Sequence, residues 1–179
     1  MTRLQALATE SAPGNSPELL AGVQRKLGMT PNLMRTMASS PAVLEGYLAL
    51  SGALGHSKLP AKVREQISLA VAEANGCDYC LAAHCAIGKM TGLTDDQVTD
   101  SRRGKSVDAK VDSLLQFVGQ VIESRGNVSD DELQEVKDAG YDDAEIAETI
   151  AAVALNIFTN YFNNVAQTEI DFPLAPALV

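Results

Sequence analysis

Apolar positions along this chain recur at intervals of three and four residues, and the alternation expected of strands is hard to find, so the pattern predicts helices. Ser16-Pro17 reads as an N-cap followed by proline at the first helical position, opening a helix through about Lys26. Thr30-Pro31 and Ser40-Pro41 repeat the device. They start a short helix and then a longer one to about Gly55, with Val43, Tyr47, Leu48 and Leu50 as its apolar face. Leu59-Pro60 opens the next, where Val63, Ile67, Leu69, Ala70 and Val71 form an apolar stripe, and Asn75-Gly76 closes it. A helix from Cys77 to about Met90 follows, ended by Gly92. Thr94-Asp95-Asp96-Gln97 and Ser129-Asp130-Asp131-Glu132 are capping boxes. Between them Ser106 is expected to cap a helix of about five turns that faces Val111, Leu114, Leu115, Val118, Val121 and Ile122 inward. The last predicted helix, about Asp142 to Asn164, is the longest and is apolar on more than one side. Such a helix is buried centrally or packs against another subunit. About 15 N-terminal residues and the tail from about Thr168 to Val179 are expected to be extended.

The expected fold class is therefore all-α. One compact helical bundle of about seven to nine helices spans residues 1–179, with a central helical hairpin and a core region at about 40–105. Hydrophobic residues make up 46% but aromatics only 4%, with no tryptophan, so the core is built mainly from Ala, Leu, Val and Ile. A net charge of −9 repels phosphate backbones and anionic lipid heads, which makes nucleic acid and membrane surfaces poor partners. Arg102, Arg103 and Lys105 form the one basic cluster and read as a solvated helix end. No run of eighteen apolar residues exists, and MTRLQALATESAPGNSP lacks the apolar stretch of a signal peptide, so a cytoplasmic location is expected. The three cysteines, Cys77, Cys80 and Cys85, are an odd, clustered set. In a reducing compartment that points to redox chemistry or metal binding rather than a disulfide framework.

The reactive side chains concentrate between Glu65 and Cys85. Cys77 and Cys80 form a C-x-x-C directly after the helix-terminating Asn75-Gly76, where free N–H groups and the helix dipole favour a thiolate. His84 lies one turn beyond Cys80 on the same face and can take or share a thiol proton. Cys80 is thereby favoured as the activated sulfur and Cys77 as its disulfide partner. If the two helices form an antiparallel hairpin near Gly76, Glu65 and His84 differ in level by roughly 4–5 Å, so the glutamate can hold the imidazole directly or through a water. Glu73, one turn from the bend, is less suited. Cys85 reads as a packing residue, Tyr79 as a boundary residue and His56 as a surface loop residue. A zinc module would need a second ligand pair, and the remaining nitrogen ligand is His56. Two inert buried cysteines are the other plain reading.

The pattern E-x11-C-x-x-C-x3-H, here Glu65, Cys77, Cys80 and His84, resembles the motif of alkyl hydroperoxidase D-like proteins within the carboxymuconolactone decarboxylase superfamily. LPAKVREQISLAVAEANGCDYCLAAH and the late NIFTNYFNNVAQTEIDFP look like its peroxidase-related branch, and the resemblance runs from about Thr30 to Phe172. It implies thiol-dependent reduction of hydroperoxides with no cofactor, metal, haem or flavin. Cys80 would attack, Cys77 would resolve, and His84 with Glu65 would relay protons. It also implies a homo-oligomer, a trimer or hexamer, served by a dithiol donor such as a lipoyl-bearing protein, or one that reduces a peroxiredoxin. The alternatives are a decarboxylase-like lyase acting on a small lactone, needing Glu65 and His84 but not the thiols, and a non-enzymatic redox-sensing or zinc-binding module.

Overall fold

The computed structural model describes residues 2–178; Met1 and Val179, the ends of the two segments expected to be extended, lie outside them. Among the described residues there are nine α-helices and no strand. They are α1 (Ser16–Leu27), α2 (Asn32–Met37), α3 (Pro41–Leu54), α4 (Ala61–Ala74), α5 (Asp78–Met90), α6 (Asp95–Arg102), α7 (Ala109–Ser124), α8 (Asp130–Asp138) and α9 (Asp143–Ala166). A 3-10 turn, Thr9–Ser11, interrupts the N-terminal segment that was expected to be extended. No helix among the described residues is long and apolar enough to cross a membrane.

Local chemistry sets most boundaries. Thr94, Ser129 and Asp142 each accept from the backbone N–H three residues on, while Gln97, Glu132 and Glu145 reach back to the cap. Each pair satisfies two N–H groups that the first turn leaves free. Two expected caps move by a few positions. Asn15 precedes α1, so Ser16 is already helical. Asp108, not Ser106, caps α7: its carboxylate accepts from the Lys110 and Val111 amides, and Ser106 Oγ instead accepts from Asp108. A carboxylate suits the positive end of the helix better than a hydroxyl.

The centre of the molecule is α4, which packs against α5, α6, α7 and α9. Its Ile67, Leu69 and Val71 are completely buried. Ile67 and Val71 join Leu114, Phe117 and Val118 of α7 and Val153 of α9 in the main core. A second cluster ties Leu20, Met37 and Leu44 of α1–α3 to the start of α5, with Phe172 of the C-terminal tail packed on it. The inward faces of two helices differ from the periodicity reading. In α3 only Leu44 is buried, and Leu50 is exposed. In α9 the buried side carries Thr149, Asn156, Thr159, Asn160 and Asn163, while Ile150, Phe158, Tyr161 and Val165 face out. Arg102 also departs from a solvated helix end. It is buried, with Nε on the Glu73 carboxylate at 2.7 Å and Nη1 on the Pro176 carbonyl at 2.6 Å.

Candidate active site

The turn between α4 and α5 builds the site. Gly76 takes the left-handed conformation, φ +57, that lets the chain reverse within three residues. The Cys77 amide then donates to the Ala72 carbonyl at 3.0 Å, and the Cys77 sulfur becomes the N-cap of α5, accepting from the Cys80 amide at 3.3 Å. The Cys77 thiol in turn donates to the Cys80 sulfur, 2.6 Å away. Across the hairpin, His84 Nδ1 lies 2.8 Å from Glu65 Oε2. This contact engages Nδ1 and leaves Nε2 as the second proton-carrying position of the ring. All four residues singled out from the sequence meet in one cluster.

The two thiols are electrostatically unequal. Cys80 is held at about 6, below a thiol's ordinary value, first by the hydrogen bond from Cys77. Burial opposes this, and the His84 charge and the amides of Asn163 and Asn160 add to it. Asn163 Nδ2 donates to the Cys80 sulfur at 3.3 Å. Cys77 is pushed strongly up, by giving its proton to Cys80, by burial and by the neighbouring thiolate. For His84, burial disfavours the charged ring, but Glu65 and the Cys80 thiolate prevail and raise its pKa. These directions place the negative charge on Cys80, keep the proton on Cys77 and draw the His84 ring toward its charged form.

Access is also unequal. Cys77 is 0% exposed, whereas Cys80, His84 and Glu65 open on a cavity of about 380 Å³. Tyr47 lines the same cavity from α3, so it is more than the apolar-face residue its spacing suggested. Burial raises its phenol, which stays protonated as a donor. Tyr79 is likewise more than a boundary residue. Its hydroxyl accepts from the Leu33 amide at 3.1 Å and donates to Asp171 at 2.8 Å, fastening the C-terminal tail so that Phe172 forms part of the cavity wall.

The remaining candidates lie elsewhere. Glu73 is taken by Arg102, His56 is exposed in its loop and does not line the cavity, and Cys85 packs with Leu69, Leu93 and Val98. Among the described residues, no three His, Cys, Asp or Glu side chains converge to hold a metal ion. The residues missed from the sequence are Asn160 and Asn163, together with Tyr47, Asp171 and Phe172. Asn156, Asn160 and Asn163, four and three residues apart on an otherwise apolar helix, were the available signal for the amides.

The fold and this cluster define an all-helical protein with an unequal dithiol at a helix N-terminus and an ion-paired histidine one turn later. Residues 41–123 match the carboxymuconolactone decarboxylase family. No curated protein matches the chain. Among solved structures, an uncharacterized peroxidase-related protein from Ralstonia eutropha JMP134, described as an alkylhydroperoxidase AhpD core, superposes with a TM-score of 0.84 at 24% identity, covering 95% of this chain and 92% of that one. An uncharacterized peroxidase-related protein from Silicibacter sp. TM1040 gives 0.82 at 23% identity, over 94% and 91%. A debrominase solved with 2,3,4-tribromopyrrole gives 0.80 at 21% identity, over 96% and 92%. These likenesses establish the shared fold.

Proposed function

We propose that the protein is a thiol-dependent peroxidase that reduces hydroperoxides through a Cys77/Cys80 dithiol–disulfide cycle. The observation that carries this reading is geometric: Cys80 opens on the cavity, the Cys77 thiol donates to its sulfur at 2.6 Å, and His84, one turn on, is held by Glu65 at 2.8 Å. The thiolate attacks the distal oxygen of the peroxide, the O–O bond breaks, and the departing alkoxide takes a proton from His84, which Glu65 holds in orientation. Cys80 is then a sulfenic acid. The Cys77 sulfur, already adjacent, displaces its hydroxyl as water and closes the disulfide. An external dithiol, such as a lipoyl-bearing protein, restores both thiols by exchange. A peroxiredoxin could equally draw electrons from the same dithiol.

The test is peroxide consumption with dihydrolipoamide, thioredoxin or glutathione as donor, combined with peptide mapping. Stoichiometric peroxide should convert Cys77 and Cys80 to one intramolecular disulfide, and the Cys80→Ser and Cys77→Ser variants should lose turnover. Free thiols after oxidation, or turnover that survives both substitutions, would refute the cycle.

A second reading rests on the fold shared with the debrominase. Oxidation of the same dithiol to a disulfide releases two electrons and two protons, enough to convert a carbon–halogen bond to carbon–hydrogen with loss of hydrogen halide. Halide release from a small brominated aromatic, in the absence of peroxide consumption, is its readout.

A further inference from the structure

The reactive cavity is much larger than hydrogen peroxide requires. At about 380 Å³ it lies in the range of pockets that enclose whole organic ligands. Its walls are largely apolar, with Leu33, Met34, Leu54, Ile87, Leu155 and Phe172 among them. One cation stands in this wall besides His84. Arg64 is the residue preceding Glu65 on α4, and it lines the same cavity as Cys80.

The Arg64 guanidinium is fixed but under-used. Nη1 donates to the Leu59 carbonyl at 2.6 Å and to Ser57 Oγ at 3.3 Å, which holds the head group in place. Among the described residues no carboxylate pairs with it, and Nε and Nη2 donate to no protein acceptor. Arg102 shows the contrast: its Nε is on Glu73 and its Nη1 on a carbonyl. Over the cavity as a whole, Arg64 and the protonated His84 balance Glu65 and the Cys80 thiolate. An entering anion is therefore drawn to the guanidinium itself rather than by a net field. A planar head group with donors in hand suits a carboxylate, which it can grip through two parallel hydrogen bonds.

We propose that Arg64 anchors a carboxylate on an otherwise apolar organic hydroperoxide and so determines which substrates bring their peroxide to Cys80; this rests on the peroxidase reading of the dithiol. The apolar body would lie along the cavity from Arg64 toward the wall formed by Leu33 and Phe172, passing the thiolate. The bound anion leaves the redox step unchanged in its balance. One O–O bond breaks, the dithiol supplies two electrons, and the products are the hydroxy acid, water and the disulfide.

The test separates binding from turnover. Calorimetry on the reduced wild-type protein would compare para-isopropylbenzoate with its methyl ester, two unreactive ligands that differ in charge at one end. A charge-assisted hydrogen-bonded pair predicts that the acid binds about 10- to 100-fold more tightly than the ester. In Arg64→Gln this preference should collapse to within about twofold, and Arg64→Lys should keep part of it, since the charge survives without the planar fork. Thermal melting checks that the variants are folded; should Arg64→Gln not fold, the wild-type comparison and Arg64→Lys decide. Equal binding of acid and ester by the wild type overturns the proposal, as does an acid preference that survives Arg64→Gln. Cumene hydroperoxide and its para-carboxylate then separate the two readings. Acid-selective binding without consumption of either hydroperoxide would remove the peroxidase reading and leave the anchor. Consumption of both without acid-selective binding would do the reverse.

Discussion

Replacing Asn163 by leucine tests how the Cys80 thiolate is maintained. Asn163 is 3% exposed, and its Nδ2 donates to the sulfur at 3.3 Å from a helix more than eighty residues away in sequence. A hydrogen bond to a charged group contributes about 1.5–3 kcal/mol. At about 1.4 kcal/mol per tenfold change, its loss should raise the Cys80 pKa from about 6 to about 7–8. At pH 7 the thiolate fraction would then fall from about nine-tenths to between a half and one-tenth. The assay is the rate of iodoacetamide alkylation at Cys80 against pH, followed by mass spectrometry of the Cys80 peptide. The midpoint is the quantity to compare, because intrinsic nucleophilicity rises with pKa and alters the plateau. Cys77→Ala removes the leading donor and should move the midpoint at least as far. Stability follows with a definite sign. Folding lowers this pKa, so the stabilisation is complete above the unfolded thiol's ordinary value of 9.0 and is lost as pH falls through about 6. The denaturation difference between wild type and Asn163→Leu should therefore be larger at pH 9 than at pH 5. An unchanged alkylation midpoint would refute the role given to Asn163.

Glu65→Gln and His84→Ala should each lower peroxide turnover by about 10²–10⁴-fold without loss of helicity by circular dichroism, as expected of lost acid–base groups; full activity in both would remove the proton relay. Phe117→Ala, at a completely enclosed position in the main core, should cost about 3–5 kcal/mol in urea unfolding. Assembly is also proposed. Ile150, Phe158, Tyr161 and Val165 of α9 and Leu50 of α3, on helices that pack together, are 40–63% exposed, an apolar face suited to a second copy of the chain. Light scattering should give a multiple of 18.9 kDa, a trimer or hexamer by the family resemblance, and a mass of 18.9 kDa would refute it.

Much of the fold and the centre of the site can be read from the sequence, because the determinants are local. Capping boxes at Thr94 and Ser129, proline after Ser40 and Leu59, and Asn75-Gly76 act over three or four residues and place helix ends wherever the rest of the chain lies. Cys77, Cys80 and His84 share one helical turn pattern, and Glu65 follows from the short hairpin, so their meeting needs only helix geometry. Tertiary structure decided which faces turn inward. Periodicity assumes that apolar means buried, and α9 breaks the assumption. Asn160 and Asn163 point inward, where Asn160 Oδ1 accepts from the Asn75 side chain and Asn163 Nδ2 donates to the Cys80 sulfur. Asn160 Nδ2 and Asn163 Oδ1 are buried without a hydrogen-bond partner among the described residues. The aromatic positions Phe158 and Tyr161 are left outside. Tyr47, Arg64 and Phe172 enter the cavity from α3, α4 and the tail, and Asp171 reaches Tyr79 across ninety-two residues. Such contacts depend on how finished helices stack, which no short stretch of sequence encodes.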